Sequence, residues 1–171
     1  MLSTSRVLAG LLIVLFAGFL YSIHDVFEQR VVEAGDTAPK FSVTTEAGQR
    51  IGSTDFNGKL LMVNFWATWC PPCVEEMPSL NQFAKEMSPQ GVVVLGVSID
   101  RNEKAYRDFL ARNRLAFQVS RDPEENISSS YGTFKWPETY VINREGKVVQ
   151  KFVGPRDWTD PQIVSSIRSL L

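Results

Sequence analysis

Two apolar runs and the helical pattern between them predict the centre of the fold. Leu60–Trp66 and Val92–Ile99 are short and almost wholly apolar, which is typical of strands covered on both faces of a sheet. Between these runs, apolar residues recur at the spacing of one helix face, at Val74, Met77, Leu80, Phe83, Ala84 and Met87. A strand, a helix and a strand in this order predict two parallel strands joined by a right-handed crossover.

Shorter patterns predict the remaining elements. Residues 41–52 have the composition of a β-hairpin, with Ala47 and Gly48 in the turn. Further helices are predicted over Glu103–Asn113, Glu125–Tyr131 and Asp160–Leu171, and further strands over Phe117–Ser120, Thr139–Asn143 and Val148–Val153. The last helix should face the core with Ile163, Val164, Ile167 and Leu170. This order of elements predicts an α/β fold, a three-layer sandwich around a mixed sheet.

The N-terminal segment has the pattern of a membrane anchor. Val7–Ile23 carries no charge and is near the lower end of the about 17–25 residues that span a bilayer. Arg6 precedes this run and Asp25 follows it, and the positive end is expected to stay in the cytoplasm. Two alternatives remain: a cleaved signal sequence, which normally has a shorter apolar run and a small-residue cleavage site, and a buried core helix.

These patterns divide the chain into three segments. Residues 1–25 are expected to form a single-pass transmembrane anchor, or a signal sequence, and residues 26–34 a polar linker. Residues 35–171 are expected to form one folded domain, which is long enough for a full core. The formal net charge is −1 and no run of Lys or Arg occurs, so no nucleic-acid partner is predicted.

Both cysteines of the chain lie in one stretch, FWATWCPPC, as Cys70 and Cys73. A closed zinc site needs four ligands, and the only histidine, His24, lies at the predicted membrane boundary. Haem attachment needs a histidine directly after the second cysteine, where Val74 stands. A purely structural disulfide would close too short a loop to stabilise the fold much. Two unrelated buried thiols remain possible, but C-x-x-C between a strand and a helix favours a redox pair.

The residues around Cys70 predict an activated thiol. Pro71 disfavours helical backbone angles at Cys70, which suits the position that caps a helix. The positive end of the helix dipole then favours the thiolate and lowers the pKa of the Cys70 thiol. Cys73, one turn further, would be the resolving thiol. Because Pro71 and Pro72 lack an N–H, only the amides of Cys73 and Val74 remain near the sulfur. With so few donors the thiolate is less stabilised, and we therefore expect a reductant rather than a strong oxidant.

The same residues resemble a known family. FWATWCPPC, a following helix that contains Pro78, and a proline before the last hairpin resemble the thioredoxin superfamily. The predicted anchor and the segments Gly35–Pro39, Asp55–Lys59 and Glu75–Pro78 are similar to the membrane-anchored TlpA/ResA/CcmG group of thiol–disulfide oxidoreductases. The resemblance implies a thioredoxin-like three-layer α/β/α sandwich with a mixed sheet, an N-terminal hairpin extension and a central αβ insertion.

The resemblance also implies roles for single residues. Cys70 would be the exposed attacking thiol and Cys73 its buried partner, so that their disulfide carries the electrons and neither a cofactor nor a metal is needed. Pro137 would be the cis-proline opposite this disulfide, although an ordinary trans proline remains possible. Glu76 would tune the thiols or handle protons, and the alternative is a solvated carboxylate at the helix start. Asn64 stands where thioredoxins have a buried aspartate, which strengthens the case for Glu76.

A client-binding surface is implied as well, formed by Trp69, Pro71, Pro72, Trp136, Pro137 and Glu138. Trp136 precedes the predicted cis-proline and would contact the client. Glu138 resembles the acid of the Pro-Glu-Thr segment in the CcmG type. Trp66, in contrast, is expected in the core.

The function implied by the resemblance is an enzyme that reduces client protein disulfides outside the cytoplasm. The expected client is apocytochrome c in cytochrome c maturation, and the expected electron donor is a transmembrane thiol carrier. The domain would face the periplasm or extracytoplasmic space, attached as a monomer to the bacterial inner membrane by its N-terminal helix. Two alternatives are a peroxiredoxin-like peroxidase and a client-binding holdase that does not need redox chemistry.

Overall fold

The structure, a computed structural model, describes residues 4–27 and 31–171 and divides the chain into two compact units. The first contains α1 (Thr4–Phe27), whose described apolar side chains between Leu8 and Leu20 are exposed. Among the described residues, no helix has the combined length and hydropathy needed to cross a membrane. The anchor over residues 1–25 stays a prediction, and the predicted linker lies partly outside the described residues, at positions 28–30.

A five-stranded mixed sheet forms the centre of the second unit. Its strands are β3 (Leu60–Trp66), β4 (Val92–Ser98), β5 (Gln118–Arg121), β6 (Glu138–Asn143) and β7 (Val148–Val153). The spatial order is β5-β4-β3-β6-β7, with β3, β4 and β5 parallel and with β6 antiparallel to both β3 and β7. The predicted parallel crossover and mixed sheet are therefore confirmed.

Helices connect and cover these strands. They are α2 (Pro71–Met87), α3 (Glu103–Asn113), α4 (Asn126–Ser130) and α5 (Pro161–Arg168), and a 3-10 turn at Ser88–Gln90 follows α2. The predicted hairpin is present as β1 (Ser42–Thr44) and β2 (Arg50–Gly52), a separate antiparallel pair. Gly48 lies in its turn with φ +77°, a left-handed conformation that favours glycine. The predicted three-layer α/β fold is confirmed.

The alternation of side chains along β3 divides the core into two layers. Leu60, Met62 and Trp66 face the side covered by α2, α3 and α5, where Trp66 packs on Phe109 with ring centroids 5.1 Å apart. Leu61, Val63 and Phe65 face the other side, which residues 31–41, the β1–β2 hairpin and the region of α4 cover. Each large side chain buried in this way contributes about 1.5–3 kcal/mol. Trp66 is fully buried, as predicted.

The C-terminal helix differs from its prediction. Ile167 is fully buried and Ile163 and Val164 pack against the core, but Leu170 is exposed. The helix ends at Arg168 rather than Leu171, so Leu170 no longer follows the helical spacing that would place it inward. The prediction for Leu170 was therefore wrong.

Candidate active site

The two cysteines lie where β3 leads into α2 and are joined by a disulfide, with their Cα atoms 5.3 Å apart. Cys70 caps α2 with extended backbone angles (φ −100°, ψ 101°), and Pro71 and Pro72 begin the helix. The predicted capping geometry is therefore present. Both cysteines are buried in the disulfide form, so Cys70 is not exposed as the resemblance implied; at 6% against 0% it is nevertheless the more accessible residue of the pair. The amide of Val74 donates to the carbonyl oxygen of Cys70 at 3.1 Å. One of the two amides predicted to lie near the sulfur therefore already has another acceptor.

A buried carboxylate orders the loop before Cys70. Asp100, directly beyond β4, accepts hydrogen bonds from the amide and the hydroxyl of Thr68 at 2.9 and 2.6 Å. It also accepts one from the hydroxyl of Ser98 at 2.6 Å. Parallel strands place their carboxyl ends at one edge of the sheet, which brings Asp100 next to the loop after β3. The conformation of the Thr68–Cys70 segment thus depends on a residue that the sequence did not mark as part of the site.

Glu76 is buried beneath the start of α2 and is held by three N–H donors. Its side chain is only 3% exposed, so it is not a solvated helix-start carboxylate. The Asn64 amide donates to Oε1 at 2.9 Å, while the backbone amide of Arg156 and the indole N–H of Trp158 donate to Oε2 at 3.0 and 3.1 Å. Asn64 also donates to the Thr139 hydroxyl at 2.9 Å. Three elements and the loop after β7 therefore meet at this carboxylate.

The environment of Glu76 raises the pKa of its carboxyl group. Burial is the largest cause, because removal from water penalises the charged form. The hydrogen bonds from Arg156, Asn64 and Trp158 and the positive charge of Arg156 act in the opposite direction, but they offset only part of this cost. A carboxyl group with a raised pKa can exchange a proton closer to neutral pH, as a general acid or base requires.

Pro137 and two tryptophans lie at the same edge of the sheet. The Trp136–Pro137 peptide bond is cis, as the resemblance implied. Pro137 directly precedes β6, whose Glu138 pairs with Phe65 of β3, so it lies at the end of the sheet where β3 leads to Cys70. Trp69 is 59% exposed, and its ring meets that of Trp136 edge-on with centroids 6.0 Å apart. The two rings form an accessible aromatic surface beside the disulfide.

Glu138 lies on the opposite face of the sheet from Glu76. It is buried, and its Oε1 pairs with Nζ of Lys151 at 3.1 Å. Among the described residues, its Oε2 has no hydrogen-bond partner. Lys151 also binds Glu33 at 2.8 Å; burial lowers the pKa of Lys151, but the hydrogen bonds to Glu33 and Glu138 outweigh it and raise the pKa overall. The structure therefore separates Glu138 from the Glu76 cluster.

The predicted site residues fall into three groups. Cys70 and Cys73 are bonded to one another, with Pro71 and Pro72 between them, while Trp69, Trp136 and Pro137 lie at the edge of the sheet that leads to them. Glu76 lies three residues after Cys73 in α2, and Glu138 lies on the opposite face of the sheet. Asp100 is not among the predicted site residues, although its place after a parallel strand was a usable signal. Trp158 is also absent from them, and it had no local signal because its contact depends on how a distant loop folds back.

Within the ranges 4–27 and 31–171, no group of three or more His, Cys, Asp or Glu side chains could hold a metal ion. The site itself presents two cysteine sulfurs and a buried carboxyl group. Two thiols that form an internal disulfide can give two electrons to, or accept them from, another disulfide.

Comparison with known proteins identifies the family. Residues 34–151 match the AhpC/TSA family model. The chain is 35% identical over 150 residues to the thiol-disulfide oxidoreductase ResA of Bacillus thuringiensis subsp. konkukian, covering 87% of this chain and 86% of that protein. The chain belongs to the AhpC/TSA family and is a thioredoxin-like thiol–disulfide oxidoreductase.

Further relatives agree with this assignment. The thioredoxin-like protein YneN of Bacillus subtilis is 32% identical over 152 residues, covering 86% of this chain and 89% of that protein. A crystal structure of a thiol:disulfide interchange protein from Chlorobium tepidum superposes with a TM-score of 0.67 at 29% identity, over 78% of this chain and 97% of that chain. As an oxidoreductase of this family, the chain acts on disulfides of client proteins and carries electrons on its cysteine pair without a further cofactor.

Proposed function

We propose that this oxidoreductase reduces disulfides of client proteins outside the cytoplasm, with Cys70 as the attacking thiol and Cys73 as the resolving thiol. The observation that carries the proposal is the position of the pair. Cys70 caps α2 and is the more accessible residue of the pair, while Cys73 is fully buried one turn behind it. A thiolate at the start of a helix is favoured by the helix dipole.

The reaction proceeds in two exchanges. In the reduced protein, the Cys70 thiolate attacks one sulfur of the client disulfide, and the other client sulfur leaves as a thiolate that takes up a proton. The Cys73 thiolate then attacks the Cys70 sulfur of the mixed disulfide and releases the second client thiolate. The client gains two electrons and two protons, and the protein is left with the Cys70–Cys73 disulfide. A dithiol donor must reduce this disulfide before the next cycle.

Glu76 supplies the proton acceptor for the buried thiol. Cys73 must lose a proton before it can attack, yet it has no exposed surface. Glu76 lies three residues further along α2, which places both side chains on one face of the helix. The raised pKa of the Glu76 carboxyl group suits it to accept that proton and later return it. Asn64, as an amide, cannot do this.

The direction of electron flow follows from weak stabilisation of the thiolate. Pro71 and Pro72 have no N–H, and the Val74 amide donates to the Cys70 carbonyl oxygen. A thiolate with few donors holds the reduced state less tightly, so the protein favours giving electrons away. Measuring the reduction potential of the full-length chain against glutathione tests this proposal. A value near about −120 mV, at the oxidising end of the range for such proteins, would contradict it.

The extracytoplasmic location rests on the sequence of the first segment. Val7–Ile23 carries no charge, and the positive Arg6 precedes it. In this arrangement the first segment lies in the bacterial inner membrane, and residues 35–171 face the periplasm or extracytoplasmic space. Alkaline phosphatase fused after Leu171 tests the orientation, because that enzyme needs disulfides that form only outside the cytoplasm. Activity supports the proposal, and its absence with full expression opposes it.

Apocytochrome c is the client proposed, and a transmembrane thiol carrier is the donor. Support comes from the resemblance to the ResA and CcmG group and from the ResA relatives. The test uses Cys73→Ala, which should hold the client as a mixed disulfide on Cys70, with Cys70→Ser as the matched control that cannot form it. Trapped apocytochrome c would support the proposal, whereas a different trapped protein would replace the client.

The same pair of variants separates the rival functions. If Cys70→Ser still performs the cellular task, client binding suffices and redox chemistry is dispensable. If Cys73→Ala consumes peroxide, the site works as a peroxidase. The proposed function requires both results to be negative.

A further inference from the structure

The loop between β7 and α5, residues 154–160, is held against the first turns of α2 by hydrogen bonds. The Gly154 amide donates to the carbonyl oxygen of Pro137 at 2.9 Å. At the middle of the loop, the Trp158 amide donates to the Ser79 hydroxyl at 3.2 Å, and that hydroxyl donates to the Glu76 carbonyl oxygen at 2.9 Å. The loop is therefore fixed both to the cis-proline and to the helix that carries the cysteines.

Packing gives the Trp158 indole a single orientation. The side chain is fully buried and contacts Phe152 and Phe83, with ring centroids 5.1 and 6.0 Å away. A buried indole N–H needs an acceptor, and here it meets Oε2 of Glu76 at 3.1 Å. A hydrogen bond to a carboxylate is about twice as strong as one between neutral groups.

A groove open to solvent lies beside this contact. It has a volume of about 420 Å³ and runs between the start of α2, at Glu75, Glu76 and Ser79, and the loop at residues 155–157. Glu76 is the buried carboxyl residue among those that line it.

We propose that Trp158 is a positioning residue for Glu76: its indole N–H holds the carboxylate under the first turn of α2, facing the groove, and stabilises its charged form. The inference rests on the proposed function, in which Glu76 exchanges a proton with Cys73. Without this donor, the buried carboxyl group would remain protonated to a higher pH and would accept protons less readily.

The effects on the pKa of Glu76 oppose one another, so the loss of a single hydrogen-bond donor should change it. Burial raises its pKa, while Asn64 from β3, the Arg156 amide and the Arg156 charge lower it together with Trp158. Two further acidic residues, Glu75 and Asp157, line the same groove. Thr139 of β6 acts only through Asn64.

The first test compares Trp158→Phe with Phe152→Leu in the full-length oxidised chain. Phe152→Leu disturbs the packing of the indole but leaves its N–H in place. The readout is the infrared band of the protonated Glu76 carboxyl group, isolated by subtracting the spectrum of Glu76→Gln at each pH. In Trp158→Phe the midpoint should rise by about one pH unit, since one charge-assisted hydrogen bond is lost. In Phe152→Leu it should move by much less. Equal midpoints in Trp158→Phe and the unaltered chain would overturn the proposal.

A second measurement does not depend on how Trp158→Phe folds. The chain has four tryptophans, so its ¹⁵N spectrum contains four indole signals, and the Trp158 signal is the one lost in Trp158→Phe. In the unaltered chain this signal should shift with the midpoint of the Glu76 band, and in Glu76→Gln it should not shift over that range. A signal independent of pH in the unaltered chain would refute the contact.

These outcomes separate the inference from the proposed function. If Glu76→Gln leaves the pH dependence of thiol alkylation unchanged while Trp158→Phe still moves the Glu76 midpoint, the contact is supported and the proton role of Glu76 fails. If Glu76→Gln changes the alkylation profile but Trp158→Phe leaves the midpoint in place, only the role of Trp158 fails.

Discussion

Asn64 and Glu76 lie side by side in the core, with the amide nitrogen of Asn64 2.9 Å from Oε1 of the carboxylate. Both side chains are buried, and the donor is an amide that cannot titrate in the physiological range. The cluster therefore holds one ionisable carboxyl group rather than two. Within this pair, Glu76 is therefore the side chain that can titrate.

Asn64→Asp should lower the stability of the fold in a way that depends on pH. Two buried carboxyl groups at this separation cannot both ionise, so one keeps its proton or the fold loses stability. We expect the free energy of unfolding at pH 8 to fall by about 3 kcal/mol, with most of the loss recovered at pH 5. Urea unfolding at the two pH values measures this.

The matched control for this prediction is the double variant Asn64→Asp/Glu76→Gln. It again holds one carboxyl group and one amide, so most of the stability at pH 8 should return. If the single variant is as stable as the unaltered chain at pH 8, two carboxyl groups at these positions do not oppose one another's ionisation.

Glu76→Gln should flatten the pH dependence of stability. The pKa of Glu76 is raised in the folded protein, chiefly by burial, so the unfolded chain releases its proton first as pH increases. The contribution of Glu76 to stability is therefore complete below the ordinary glutamate pKa and is lost as pH rises through the folded-state pKa. Within that window the free energy of unfolding should fall by up to about 1.4 kcal/mol per pH unit.

The measurement is the difference in unfolding free energy between the unaltered chain and Glu76→Gln at a series of pH values. The glutamine should gain relative stability as pH rises, because no charge is buried. Its carbonyl oxygen can still accept from Arg156 and Trp158, and Asn64 can turn its Oδ1, which has no partner among the described residues, toward the new amide. A difference that is constant with pH would exclude a raised pKa.

Asp100→Asn should loosen the loop that carries Cys70. The asparagine loses the charge and one acceptor from a set of bonds to Thr68 and Ser98 that are 2.6–2.9 Å long. We expect a loss of about 2 kcal/mol in the free energy of unfolding. Asp108→Asn is the control, since it removes the negative charge that pairs with exposed Lys104 and should cost much less. Equal costs would show that Asp100 does not order the loop.

Trp69→Ala should impair client reduction with little effect on stability. Trp69 is largely exposed and meets Trp136 edge-on, so its truncation removes half of the aromatic surface beside the disulfide. Exposed aromatic residues often dominate binding, and we expect about a tenfold loss in kcat/KM with a disulfide-containing protein such as insulin. Phe134→Ala removes another exposed ring and should have a smaller effect. A larger effect at Phe134 would place the client surface elsewhere.

The sequence predicted the sheet better than the site. Leu60–Trp66 and Glu103–Asn113 have the predicted bounds because a strand buried on both faces and an amphipathic helix have strong local patterns. Leu170 was misplaced because nothing local marked the end of α5 at Arg168. Cys70 was placed correctly at the start of α2 because a proline follows it.

The carboxylate cluster was harder to predict because its members are far apart in the chain. The resemblance marked Glu76 near the start of α2, but its burial depends on Trp158 and Arg156, about eighty residues later. Neither residue has a pattern of its own that marks the contact. Asp100 was partly predictable. Its position after a parallel strand indicates the edge of the sheet at which it lies, but not that Thr68 would be its hydrogen-bond partner.

The most direct test of the account measures how fast each thiol of the reduced full-length chain reacts with iodoacetamide as pH increases. We predict that Cys70 reacts first and ionises below about pH 8.5, the ordinary value for a thiol, and that mild oxidant then closes the Cys70–Cys73 bridge. Cys73 should react with a midpoint that changes in Glu76→Gln. If both thiols ionise only at alkaline pH and no internal bridge forms, Cys70 is not the activated nucleophile described here.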